Sequence, residues 1–117
     1  MAKRRRSPSP EIAALRAAAE GSCKQLRDQT REQVRLIRSG AVGELTEADV
    51  ERMAEDIAAA ARARFDAAAA DYQSPSADPQ LPATRREAAM LVAVTAREAG
   101  AVLRKAWRAR HEEASGR

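Results

Sequence analysis

The chain has 117 residues and a formal net charge of +4; 44% of its residues are apolar, but it holds one Phe, one Trp and one Tyr. That length suits one small domain, and an alanine-rich core with few aromatics gains little transfer energy per residue, so self-association is expected to add burial. No run of about 18 apolar residues spans a membrane, and no Gly-rich phosphate loop, metal-ligand spacing or nucleophile–base pair appears, which argues against an enzyme and implies no cofactor or metal.

Arginine outnumbers lysine eighteen to three. With so much alanine, this composition fits a high-GC bacterial coding bias, so arginine richness by itself is no sign of nucleic-acid affinity. The location of the charge says more. Lys3, Arg4, Arg5 and Arg6 supply the whole excess, and the remaining 17 basic and 17 acidic groups cancel. Residues 1–8 read as a disordered basic arm without an apolar anchor. The basic start runs into Ser7-Pro8-Ser9-Pro10 rather than an apolar stretch, which reads against a secretory signal. With Cys23 as the sole cysteine, the expected location is the reducing cytoplasm.

The first helix is expected over about 10–39, within a single helical-bundle domain over 9–114. Ser9 suits the N-cap and Pro10 the first turn, while Gly40 suits the left-handed position after the end. Ile12, Leu15, Ala19, Cys23, Leu26, Val34 and Ile37 recur by threes and fours as a buried stripe. Lys24, Arg27, Arg31, Arg35 and Arg38 form a second line, within roughly an 80° arc.

The second helix is expected over about 47–72, with Thr46 as cap and Glu47, Asp49 and Glu51 favoured by the helix dipole. Its stripe is Val50, Met53, Ile57, Ala61, Phe65, Ala68 and Tyr72. Residues 73–83 hold three prolines and read as a loop. Thr84-Arg85-Arg86-Glu87 has the form of a capping box, which predicts a third helix over about 85–112.

The predicted fold is an all-α, up-down-up three-helix bundle with coiled-coil-like packing. Packed residue numbers should sum to about 85 across the first turn and about 157 across the second, with Trp107 closing the end near that first turn. In this register Arg31, Arg35 and Arg38 would face Glu55, Glu51 and Glu47. The acidic second helix would then order two basic neighbours around itself.

The favoured function is a non-catalytic interaction or assembly protein that engages a protein partner or a second copy. Residues 88–94 are apolar around the whole helix circumference, so Met90, Leu91, Val92 and Val94 are the expected partner-binding face of a homodimer. The alternative is a nucleic-acid-binding accessory protein of plasmid, phage or chromosome maintenance. It would use Lys3, Arg4, Arg5, Arg6, Lys24, Arg27, Arg97, Arg104 and Arg108, although no aromatic interleaving or recognition helix accompanies them. A helical enzyme binding a dicarboxylate is disfavoured, because Lys24, Arg27 and Arg31 lie roughly 130° from the apolar stripe. His111, beside Glu112 and Glu113 near a fraying end, lacks a frame that would hold a metal.

Overall fold

The computed structural model describes residues 9–70 and 79–115. Three helices run up, down and up: α1 (Pro10–Ser39), α2 (Glu47–Ala70) and α3 (Leu81–Ser115). The architecture is an all-α three-helix bundle, with no strand among the described residues. The basic arm 1–8, Tyr72, most of the proline-rich loop and the last two residues lie outside the described part.

Local chemistry sets the start of α1 and α2. Ser9 Oγ accepts the Ile12 backbone N–H at 3.3 Å, and Pro10 occupies the first turn, where no donor is needed. α1 ends at Gly40, whose φ of 72° is left-handed and whose N–H donates to the Ile37 carbonyl. Gly43 repeats the left-handed geometry at φ 75°, completing the reversal. At the head of α2, Thr46 and Asp49 cap each other reciprocally. The Thr46 N–H donates to Asp49 Oδ2 at 2.9 Å, and the Asp49 N–H donates to Thr46 Oγ1 at 3.1 Å.

The third helix departs from expectation. It begins at Leu81, so Thr84 is not its cap; the Thr84 N–H donates to the Gln80 carbonyl, inside the first turn. The physical reason is burial. Leu81 is a core residue, and starting the helix there keeps it packed, while Pro82 falls in a first turn that tolerates it.

The core has two parts. The larger holds Ile12, Leu15, Cys23 and Leu26 of α1, Ala61 and Phe65 of α2, and Leu81, Ala88 and Val92 of α3. The smaller, near the first turn, joins Ile37, Val50, Ala54, Leu103 and Ala106, with Leu45, Met53 and Trp107 packed against it. Trp107 therefore sits where the register placed it. Its indole N–H also donates to the Leu45 carbonyl at 2.6 Å, tying α3 to the turn.

Between α1 and α3 lies a small polar contact. The Cys23 thiol donates to Thr95 Oγ1 at 3.3 Å, and the Thr95 hydroxyl donates to the Leu91 carbonyl at 2.8 Å. Cys23 is buried, which agrees with a packing role.

The expected meeting of Arg31, Arg35 and Arg38 with Glu55, Glu51 and Glu47 does not occur. Arg31 pairs with Asp28 at 3.7 Å and Arg35 with Glu32 at 2.5 Å, both within α1. Glu51 pairs instead with Arg104 of α3. The cause is the flank of α1 that carries the cations. Cys23 points at α3, and at about 100° per residue the cation row lies on the same side of Leu26 as Cys23. The row therefore borders α3 and solvent, away from α2. At its end, Arg110 of α3 donates to the Arg38 carbonyl at 3.3 Å.

Candidate functional site

α1 packs beneath both other helices, so the seam between α2 and α3 opens outward. A groove of roughly 790 Å³ runs along it. Its floor consists of Ala54, Ala58, Phe65, Val92, Ala96 and Gly100. These residues are small or buried because the two helices approach closely: a Cβ built on Gly100 would stand 3.6 Å from Ala54 Cβ. The walls are charged. α2 contributes Glu55, Arg62 and Asp66, and α3 contributes Arg86, Met90, Arg97 and Arg104.

Helix periodicity explains the basic wall. Arg86, Arg97, Arg104 and Arg108 fall within roughly a 40° arc of α3, with Met90 in the same row. This row lies roughly 150° around α3 from the core stripe of Ala88, Val92, Ala99 and Leu103, with Ala96 and Gly100 of the groove floor between the two. Arg86 was missing from the expected set, although its spacing from Arg97, Arg104 and Arg108 was the available signal. Glu55 and Asp66 had no such signal, since only the packed seam brings them to the same groove.

One pair closes the end of the seam near the first turn. Arg104 Nε donates to Glu51 Oε1 at 2.5 Å and Arg104 Nη2 to Glu51 Oε2 at 3.1 Å. This two-point bond holds the Glu51 carboxyl below its ordinary range and the Arg104 guanidinium above its own. Arg104, expected as one of the nucleic-acid-binding residues, is thus engaged with Glu51 across the α2–α3 seam. On the acidic wall Asp66 has a long contact of 3.7 Å to Arg62. Glu55, Arg86 and Arg97 make no ion pair with the described residues.

The expected partner-binding residues divide. Met90 is 64% exposed, Leu91 44% and Val94 37%. Val92 is not part of that surface: it is 3% exposed and belongs to the core. Two residues of helix separate Val92 from Met90 and Val94, a turn of about 200°, so it cannot face the same way. Val102, 48% exposed, adds an apolar group on the side toward α1. Met90 reaches the groove, whereas Leu91 and Val102 do not line it.

Of the expected nucleic-acid set, Lys24, Arg27, Arg97 and Arg108 are exposed and make no ion pair with the described residues. Lys3, Arg4, Arg5 and Arg6 lie outside those residues. No group of three or more His, Cys, Asp or Glu side chains among the described residues is placed to hold a metal. The His111 ring stacks on Trp107 at 5.0 Å and 14°. No helix is long and apolar enough to cross a membrane.

Comparison with protein-family models, with curated proteins and with solved structures finds no match to this chain.

Proposed function

We propose that this protein is a non-catalytic helical assembly module whose α2–α3 groove receives an amphipathic helix. The observation that carries the reading is the groove itself, an apolar floor between charged walls with Met90 64% exposed at its edge. A Met side chain on a helix is flexible and polarisable, and such residues recur at surfaces that accept partner helices. The floor of alanine and glycine lets an incoming backbone approach closely, while the charged walls fix its direction.

Photocrosslinking from a reactive amino acid placed at Met90, in cells, tests this. The expected products join Met90 to an apolar face of a helical segment, identified by mass spectrometry, and exceed those from the solvent-facing position Lys24. Equal, unselective labelling from both positions overturns the reading.

A second reading, a nucleic-acid-binding accessory role, is favoured by the exposure of Lys24, Arg27, Arg97 and Arg108 without ion-pair partners among the described residues. It requires retention on a duplex DNA column that weakens with salt. Four phosphate contacts by residues 3–6 would give a log–log salt slope of about −3.6. No retention at low salt removes this reading.

A further inference from the structure

We infer that the helix received by the groove is α3 of a second copy of this chain, lying antiparallel across a twofold axis. The inference rests on the helix-docking reading above and names its partner.

A twofold interface needs one surface that carries both halves of every contact. The groove does so. One wall is the basic row of α3, with Arg86 and Arg97 unpaired within the described protomer. The other is the edge of α2 with the acids Glu55 and Asp66. Between them lie a protruding apolar side chain, Met90, and a floor of small residues able to receive it.

Within a protomer these opposite charges face each other across the groove, yet no ion pair among the described residues joins Glu55 or Asp66 to Arg86 or Arg97. The Glu51–Arg104 pair fixes the α2–α3 register. In that register Arg97 lies about three residues along the axis from Glu55 and Arg86 about three from Asp66, so acids and arginines are spaced by the same eleven residues on the two walls. A second α3 reversed about an axis near the middle of the groove runs parallel to α2 and matches this spacing from the other side. Arg97 of the second copy then reaches Asp66, and Arg86 of the second copy reaches Glu55 near the Glu51–Arg104 end. The same reversal sets Met90 of each copy over the stretch from Ala93 to Gly100 of the other, where the floor is small. A foreign helix would have to reproduce this spacing of two arginines around a Met, which α3 already has.

The sparse aromatic content adds a reason. The chain has one Phe, one Trp and one Tyr, so its own core is thin, and covering Met90 adds apolar burial.

Sedimentation equilibrium on the purified full chain over a wide concentration range tests the inference. The wild type is expected to show twice the 12.7 kDa chain mass. Arg97→Glu and Asp66→Arg should each weaken dimerisation at least tenfold, because each reversal acts twice in a twofold dimer. The combined Arg97→Glu/Asp66→Arg chain should recover to within a few-fold of wild type. Helicity by circular dichroism, unchanged in all three, excludes loss of fold.

A wild type that stays monomeric to millimolar concentration overturns the second copy as occupant. The helix-docking reading is then judged separately by the Met90 crosslinks, which would join another protein. A dimer indifferent to both reversals, or not restored by the double exchange, also overturns the inference, since the copies would then meet elsewhere.

Discussion

Gly21 and Gly40 show how the same residue type has opposite meanings at two positions. Gly21 sits mid-helix in α1 without a positive φ, and a Cβ built on it meets nothing within 4 Å. Gly21→Ala should therefore stabilise the fold by about 0.5–1 kcal/mol, mainly by restricting the unfolded chain. Gly40 has a φ of 72°, and its built Cβ would stand 2.7 Å from Arg110 Nη2. Gly40→Ala must strain the backbone and push away the guanidinium that donates to the Arg38 carbonyl. It should destabilise by about 1 kcal/mol or more. Urea unfolding of the two variants checks both signs, and equal effects would contradict the account. The left-handed role of Gly40 was legible from Ser39-Gly40 at the end of the apolar stripe. The Arg110 contact was not, because it joins residues 72 positions apart.

At the scale of elements, caps and apolar periodicity were the readable part. Ser9, Gly40 and Thr46 act as their local chemistry implied, and α1 has the expected bounds. The start of α3 was misread for a clear reason. Thr84-Arg85-Arg86-Glu87 satisfies the local rule for a cap, but burying Leu81 outweighs it, and the backbone continues helical through the position. The acids at the start of α2 predict a pH response. Asp49 is held below the ordinary carboxylate range by hydrogen bonds from the Thr46 backbone N–H and then its side chain, and Glu51 by hydrogen bonds from Arg104. A carboxyl whose folded pKa is depressed contributes stability above its unfolded value, and that contribution is lost as the pH falls through the folded value. Acidification from pH 7 to below about 4 should thus lower the thermal midpoint. Glu51→Gln should lower the midpoint at pH 7 and match wild type more closely at pH 3. A difference that stays constant across this range would show that the Arg104 bond is not its source. Both groups are only half-buried, so solvent screens them and the effect is small.

At the scale of the whole molecule, the arrangement of ion pairs separates what was legible from what was not. The α2–α3 register expected from the loop, with sums near 157, agrees with Glu51 meeting Arg104 and Val50 sharing a cluster with Trp107. The flank did not follow: the α1 cations turn toward α3, and their pairs with Asp28 and Glu32 stay inside α1. If two copies associate through α3, unfolding is linked to assembly, and the thermal midpoint rises with protein concentration. By itself the sequence determined the helical class, the apolar stripes, the caps at Ser9 and Thr46 and the place of Trp107. Each of these depends on neighbours within a turn or two of helix, or on a register that a short turn imposes. Only the tertiary structure decided which flank of each helix meets which partner. It buried Val92 while leaving Met90 outside, and set the Glu55 and Asp66 edge opposite the arginines of α3. Helix periodicity defines angles around one axis, whereas the rotation of three axes against one another is set by packing of the shared core.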